Sequence, residues 1–141
     1  MTKWAKSLIR LSTFEVETLQ KRLAEVVTRR THCEMKIATL DAEFEVECVK
    51  AANDVALQPH LSAYRHGFGL RRDACVAELD IVVREEDGVR DALSEAFESL
   101  KKFEHVAEMT HLRRVAADKK IDDAAMDEVA RRGFTGQKRH A

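Results

Sequence analysis

The sequence predicts an all-α protein: two long helices that form an antiparallel coiled-coil hairpin, with the second helix longer than the first. Two observations argue against strand-based folds. Only five glycines and one proline occur in 141 residues, and all six lie at or after Pro59, whereas strands need turn residues about every 8–12 positions. Charged residues make up 35% of the chain and aromatic residues 6%, a balance typical of long helices and coiled coils.

The first helix is predicted from a 4,3 spacing of apolar residues. This spacing marks the buried seam of a coiled coil, and ten of fourteen seam positions are apolar. The first 58 residues contain no glycine or proline. We therefore predict one helix over about residues 3–53. Its seam positions are Ile9, Ser12, Val16, Leu19, Leu23, Val26, Arg30, Cys33, Ile37, Leu40, Phe44, Glu47, Ala51 and Asp54.

The second helix is predicted to start at Pro59, after a loop of about residues 54–58. Proline suits the first turn of a helix, and the short loop makes the two helices antiparallel. Thirteen of eighteen seam positions between Leu61 and Ile121 are apolar. We predict a helix over about residues 59–132, one domain over residues 1–132, and a disordered basic tail over residues 133–141. At 1.5 Å per residue the helices would be roughly 75 and 110 Å long.

Charged residues in the seam predict the register of the hairpin. If the chain folds back near position 58, the numbers of facing residues sum to about 116–119. Arg30 then faces Glu86, and Glu47 faces Arg72. Polar seam residues cost stability but can fix a register, so we predict these two ion pairs. The alternative is that each charged group extends along the seam into solvent.

The same register leaves the end of the second helix without a partner. Lys3 would face about Arg113, and residues 114–132 would continue alone. An apolar stripe on a lone helix is a candidate docking element for another protein. A frayed end is the alternative, because isolated helices are marginal in water. The stripe in this predicted overhang consists of Ile121, Ala124, Ala125 and Val129.

Charge and cysteine content narrow the class of protein further. The formal net charge is −1, which argues against a nucleic-acid binder. No apolar run approaches the 18 or so residues of a membrane span. Cys33, Cys48 and Cys75 form no CxxC motif, which fits reduced thiols and a cytoplasmic protein.

No catalytic or cofactor motif is present in the sequence. The glycines around Phe68 lack the strand–glycine–helix context of a phosphate loop. His105 and His111 are six residues apart and so fall on different helix faces. Acidic pairs such as Asp122-Asp123 are far more often solvated helix surface than catalytic carboxylates. We therefore expect no enzymatic activity, no cofactor, no metal and no small-molecule substrate.

Asp87-Gly88 offers an alternative architecture. A turn there would give a compact three-helix bundle, which could serve as a small-ligand or metal-binding body. The seam passes through this point without a change of phase, at Val82, Glu86 and Val89, and an inserted turn would normally reset it. The two-helix hairpin is therefore preferred.

Three segments resemble the FliJ family of the bacterial flagellar export apparatus. The first, at the N-terminus, comprises residues 6–12 (KSLIRLS), 15–17 (EVE) and 21–25 (KRLAE). The entry to the second helix, residues 64–68 (YRHGF), is a weaker match. The C-terminal segment, residues 119–130 (KKIDDAAMDEVA), resembles the acidic helix of the family, in which Asp127-Glu128 recurs. The family consists of antiparallel coiled coils similar to the stalk subunit of rotary ATPases.

The resemblance implies a set of partners and a location. A FliJ-like protein would bind the hexamer of the export ATPase, contact the membrane export gate and handle export chaperones in flagellum biogenesis. It would be cytoplasmic, and peripheral at the cytoplasmic face of the inner membrane only through these partners. Such a stalk is expected to be a monomer that raises the activity of its ATPase.

The resemblance also implies partner-binding residues. Residues at both ends of the chain would face the ATPase, and part of the second helix would face the export gate. The ATPase-facing residues would be Leu8, Ile9, Leu11, Val16, Ile121, Met126, Asp127, Glu128 and Val129. The gate-facing residues would be Phe68, Arg72 and Cys75.

Two other roles remain open for a hairpin of this kind. One is the equivalent stalk protein of a virulence type III secretion system. The other is a generic structural scaffold, which is expected to self-associate through the end of its second helix.

Overall fold

Two long helices account for nearly all of the computed structural model, which describes the backbone of residues 3–140 and the side chains of residues 3–137. The first helix, α1, spans Lys3–Asn53, and the second, α2, spans Gln58–His140. A single turn of 3-10 helix, Val55–Leu57, connects them. No strand occurs among the described residues. The two helices pack against each other, which confirms the all-α helical hairpin.

The turn between the helices is closed by Asp54. Its Oδ1 atom accepts a hydrogen bond from the backbone N–H of Ala56 at 3.0 Å, and its carbonyl oxygen accepts one from Leu57 N at 3.1 Å. An aspartate that binds backbone N–H groups two residues ahead stabilises a chain reversal. Asp54, which ends the 4,3 spacing and lies in the predicted loop, is an exposed cap of this turn. Pro59 lies in the first turn of α2, where a missing N–H costs nothing.

Contacts between residues divide the chain into two units. Unit 2 contains residues 15–96, that is, most of α1 and the first part of α2. Its core cluster is Val26, Cys33 and Val82, with Leu79 and Val89 packed against it. These five residues all occupy predicted seam positions, so the 4,3 spacing does mark the face along which the helices pack.

Unit 1 contains residues 1–14 and 97–141. Its buried residues are Ala5, Ser12 and Ala107. Among the side chains of α2 that the structure describes, Ala107 is the last that is buried: residues 108–135 and residue 137 are all exposed, and Gly136 is partly exposed. We call residues 108–137 the exposed segment. It begins six residues before the predicted overhang, because the first residue that α1 buries is Ala5 and the internal packing of α2 ends at Ala107.

Helix α2 is not interrupted at Asp87-Gly88, so the structure agrees with the two-helix hairpin preferred from the sequence and excludes the three-helix alternative. The helix also continues to His140, whereas the sequence analysis assigns residues 133–141 to a disordered tail. Gly133 and Gly136 do not end the helix: neither adopts the positive φ angle with which glycine commonly terminates a helix. Ala141, the last residue of the predicted tail, lies outside the described residues.

Candidate partner-binding surface

The exposed segment carries a large apolar surface on a helix whose internal packing has ended. Large apolar side chains are normally withdrawn from water in a monomeric protein, and a group of exposed ones marks an interaction surface. Here the exposed fractions of these side chains range from 39% for Met109 to 69% for Met126. The large apolar residues between positions 108 and 130 are Met109, Leu112, Val115, Ile121, Met126 and Val129.

The two acidic residues predicted to face the ATPase differ in their surroundings. Glu128 forms ion pairs within its own helix, at 3.4 Å from Arg132 Nε and 4.0 Å from Arg131 Nη2. Asp127 is exposed and takes part in no ion pair among the described residues. Asp127 is therefore more readily available to bind a cationic partner, whereas Glu128 would first have to break its ion pairs with Arg131 and Arg132.

The N-terminal residues predicted to face the ATPase do not form one exposed surface. Leu8 and Ile9 are partly buried in unit 1, and Leu11 is 65% exposed. Val16 is only 4% exposed and belongs to unit 2. Contrary to the prediction, Val16 does not lie on a partner-binding surface: it occupies a seam position, where its side chain packs inside the hairpin. Leu11 is thus the residue of this group with the most surface to offer.

The residues predicted to face the export gate take part in packing between the two helices. Phe68 stacks on Phe44 of α1, with ring centroids 4.2 Å apart and an angle of 11° between the ring planes. Tyr64 stacks on the same ring at 6.1 Å. Offset stacks of this kind stabilise a pair beyond the area that they bury. Substitution of Phe68 would therefore alter the hairpin as well as any surface.

Arg72 binds a different partner from the one that the sequence predicts. Its Nε atom donates to Asp41 Oδ1 at 2.8 Å and its Nη2 atom donates to Asp41 Oδ2 at 3.3 Å. These hydrogen bonds lower the pKa of Asp41 and raise that of Arg72. Glu47, the predicted partner, instead lies 3.6 Å from Lys50 on its own helix.

The physical reason lies in the register of the hairpin. Because Phe44 faces Phe68, the numbers of facing residues sum to about 112 rather than the predicted 116–119. Arg72 then falls beside residues 40 and 41, about seven residues from Glu47, or roughly 10 Å along the helix. The predicted pair of Glu47 with Arg72 is wrong. The other predicted pair is present: Arg30 Nη1 lies 2.6 Å from Glu86 Oε2.

Cys75 lines an open groove of about 570 Å³ between the two helices of unit 2. Both helices contribute to its walls, and the lining combines apolar side chains with ionisable ones. The residues that line it are His32, Met35, Lys36, Thr39, Leu40, Glu43, Arg71, Ala74 and Cys75. Cys75 is partly buried. This residue, which was predicted to face the export gate, therefore lies at the edge of a groove rather than on a projecting surface.

One charged cluster in unit 2 was missed by the sequence analysis. The two carboxylate oxygens of Glu85 bind Arg22 and Arg29 of α1. The two arginines are seven residues apart and so occupy the same heptad position. The charges at the positions that flank the seam could therefore have predicted this cluster from the sequence. More than half of each arginine side chain is exposed, so this cluster adds little stability on its own.

Other kinds of site find no support in the part of the chain that the structure covers. Among the described residues, no group of three or more His, Cys, Asp or Glu side chains could hold a metal ion. Neither described helix contains a stretch apolar enough and long enough to span a bilayer.

Comparison with known proteins identifies the family. No family model matches the chain, and no solved structure matches it. Two curated proteins do, each called "Flagellar FliJ protein" and each from a strain of Caulobacter vibrioides. Each is 48% identical over 137 residues, which covers 96% of this chain and 99% of the relative. Identity of this extent over nearly the full length of both proteins shows that the chain belongs to the FliJ family.

Proposed function

We propose that this chain is a non-enzymatic component of the bacterial flagellar export apparatus, a helical adaptor that binds the export ATPase through the exposed segment. Through the rest of the hairpin it contacts the membrane export gate and export chaperones. The protein acts in the cytoplasm and reaches the inner membrane only through these partners. The flagellar name of its relatives supports a role in this apparatus. The exposed apolar side chains of the exposed segment support the proposed mode of binding.

A single observation carries the assignment of the docking end. Internal packing of α2 stops at Ala107, and the helix then continues for 33 residues to His140. The exposed segment offers apolar side chains for burial and charged residues of both signs on the same helix. A helix that presents an apolar stripe to a groove on another protein is a common mode of recognition. Asp127 supplies a charge that is not engaged within the described chain.

The experiment measures the hydrolysis rate of the cognate export ATPase with and without this protein. The full chain is expected to raise the rate, and a chain that lacks residues 115–141 is expected to lose the effect. Because residues 115–135 and residue 137 are exposed and Gly136 is partly exposed, the truncation removes no described side chain from the core. Circular dichroism would check that the remaining hairpin keeps its helix content.

A matched pair of substitutions sharpens the test. Ile121 and Ile81 lie on the same helix and are 66% and 64% exposed. Ile121→Asp should weaken stimulation by more than about tenfold, the effect of losing a buried anchor residue at an interface. Ile81→Asp should leave stimulation unchanged. Stimulation that survives both Ile121→Asp and the truncation would disprove the docking end, and no stimulation by the full chain would disprove the adaptor role.

The gate contact is proposed in a modified form. Because Phe68 and Arg72 are engaged in helix packing, a gate protein would meet the groove beside Cys75 rather than a projecting aromatic ring. Binding of the isolated gate domain to Met35→Asp, a change in that groove, would be compared with binding to Val46→Asp. Both residues lie on α1 and are more than half exposed. Equal binding of the two variants would contradict the contact.

A further inference from the structure

The exposed segment carries a second 4,3 spacing that is distinct from the seam of the hairpin. Its six positions follow one another at intervals of 3, 4, 3, 4 and 3 residues, which places them on one face of a helix. Four are apolar and at least half exposed. The central two are charged. The six residues are Leu112, Val115, Lys119, Asp122, Met126 and Val129.

This face does not continue the internal seam. The seam of the hairpin ends at Ala107, and its 4,3 spacing would pass next through Thr110, Arg114, Ala117 and Ile121. At 100° per residue those positions lie roughly opposite the six-residue face. The face is therefore not a remnant of packing against α1. It is a separate apolar stripe, interrupted at its centre by one positive and one negative charge.

The two central charges form no ion pair within the part of the chain that the structure describes. Ion pairs between residues three or four apart form elsewhere on α2, for example between Glu128 and Arg132. Lys119 and Asp122 are spaced to do the same, yet neither takes part in an ion pair among the described residues. Both side chains are exposed. They are available to a partner that brings the complementary charges at the same spacing.

The pattern is symmetric about the point between positions 120 and 121. Leu112 and Val129 are equidistant from that point, and so are Val115 and Met126. Lys119 and Asp122 are also equidistant from it. When two such helices run antiparallel, each residue meets its symmetry mate in the other copy, because antiparallel coiled coils pair the two kinds of seam position with each other.

We propose that residues 112–129 pair antiparallel with the same residues of a second copy of this chain. The resulting seam has two apolar layers at each end, Leu112 on Val129 and Val115 on Met126, and two reciprocal Lys119–Asp122 ion pairs at its centre. Such an interface is isologous: the same surface serves both subunits. The charged centre fixes the register, because a polar seam layer disfavours every alignment that leaves it unmatched.

The residues that flank the seam agree with this arrangement. In an antiparallel pair with this register, Asp118 meets Ala125 of the other copy and Asp123 meets Ala116. No like charges face each other across the seam. A parallel pair would place Lys119 against Lys119 and Asp122 against Asp122, which is repulsive in both layers. The charge pattern thus favours the antiparallel partner.

Self-pairing would compete with docking on the ATPase. Met126 and Val129 belong both to the pairing face and to the residues proposed to bind the ATPase, whereas Ile121 is not one of the six positions of the pairing face. The paired state is thus a form of the free protein that covers part of its docking surface. A structural scaffold would be expected to self-associate stably, whereas a pairing seam of six positions is short enough for the pairing to be reversible. The proposed self-pairing does not depend on the identity of the protein that binds the docking surface.

The experiment is a charge-reversal series on the full chain, with molar mass measured by sedimentation equilibrium over a wide range of concentration. The unmodified chain should show a monomer–dimer equilibrium. Lys119→Asp places two acidic residues in each central layer, and Asp122→Lys places two lysines there. Each variant alone should raise the dissociation constant at least about tenfold, because like charges brought together at an interface are strongly unfavourable.

Mixing supplies the decisive result. An equimolar mixture of the two variants should form a heterodimer, because every central layer then contains one lysine and one aspartate. Ile121→Asp, off the pairing face, should dimerise like the unmodified chain. Three results would overturn the proposal: a chain that stays monomeric throughout, single variants that dimerise as well as the unmodified chain, or a mixture that gains no dimer. None of them bears on ATPase stimulation, which tests the proposed function separately.

Discussion

Glu86 of α2 binds Arg30 of α1 and Arg90 one turn further along its own helix. One carboxylate oxygen accepts from Arg30 Nη1 at 2.6 Å, and the other accepts from Arg90 Nη2 at 2.8 Å. Only 3% of the Glu86 side chain is exposed. A buried carboxylate is stable only when it is paired and hydrogen-bonded, so the two arginines allow a charge to occupy the centre of the seam.

The first prediction concerns the pH dependence of stability. Hydrogen bonds from Arg90, together with the charges of Arg30 and Arg90, hold the pKa of Glu86 below its ordinary value of 4.5. A lowered pKa in the folded state contributes stability above the ordinary pKa, and this contribution is lost as the pH falls through the folded-state value. Urea unfolding of Glu86→Gln should show a clear loss of stability at neutral pH that shrinks as the pH falls below the ordinary pKa of 4.5 toward the folded-state value.

Glu25 provides the control for this measurement. Its side chain is exposed on the same hairpin, and Glu25→Gln should change the free energy of unfolding by less than about 0.5 kcal/mol at neutral pH. A deficit in Glu86→Gln that stays constant down to low pH would show that the cost of that substitution is one of packing rather than of ionisation.

The second prediction concerns the core of unit 2. Val26 is fully buried between the helices, in contact with the cluster that includes Val82. Val26→Ala should lower the free energy of unfolding by about 2 kcal/mol, because it removes two buried methyl groups and leaves a cavity. Val46→Ala, on the same helix but 53% exposed, should cost less than about 0.5 kcal/mol. Similar costs for both variants in urea unfolding would contradict the core assignment.

The third prediction concerns the reactivity of the cysteines. Burial, and to a lesser extent the negative charge of Glu78, raise the pKa of the Cys33 thiol. Since the thiolate is the reactive form, Cys33 should be alkylated by iodoacetamide at least about tenfold more slowly than the partly buried Cys48 and Cys75. Mass spectrometry of peptides after timed labelling would give the three rates, and urea should remove the difference. Equal rates in the folded protein would contradict the seam position of Cys33.

The fourth prediction concerns two glycines within α2. Gly67 and Gly69 are helical, and a Cβ atom added at either would meet no atom within 4 Å. Alanine at each position should stabilise the protein by about 0.5–1 kcal/mol, because glycine is the poorer helix former. Ala63→Gly, an exposed site on the same helix, should cost a similar amount. A loss of stability in the alanine variants, measured by thermal unfolding, would show that the glycines serve a close approach instead.

The sequence predicted the two helices and one of the two seam ion pairs, but its sum rule was too high. The predicted sum was 116–119, whereas Phe44 faces Phe68 and Arg72 binds Asp41, which gives sums of 112 and 113. Arg30 and Glu86 still meet, because their long side chains reach across a difference of about one helical turn. Glu47 lies about seven residues from the position that Arg72 faces, so that pair failed. Charged residues alone could not set the register to within one turn, because their side chains are long and flexible.

The residues predicted for the candidate surface are exposed at the C-terminal end of the chain but only in part at the N-terminal end. The apolar residues of the C-terminal end, including Ile121 and Met126, are exposed as a docking surface requires. At the N-terminal end the family resemblance brought together Leu11, which is exposed, and Val16, which is buried. Resemblance carries residues over by their place in a motif, whereas burial depends on heptad position. The 4,3 spacing already placed Val16 in the seam and left Leu11 outside it.

The end of internal packing at Ala107 also divides the backbone into parts that open by different routes. Amide protons near Val26 and Val82 can exchange with deuterium only when the hairpin itself opens, whereas those beyond Ala107 exchange by fraying of a helix that tertiary contacts no longer hold. The free protein should therefore show slow exchange in unit 2 and fast exchange in the exposed segment. A bound partner would slow exchange where it sits, so that the same measurement would map its footprint along α2.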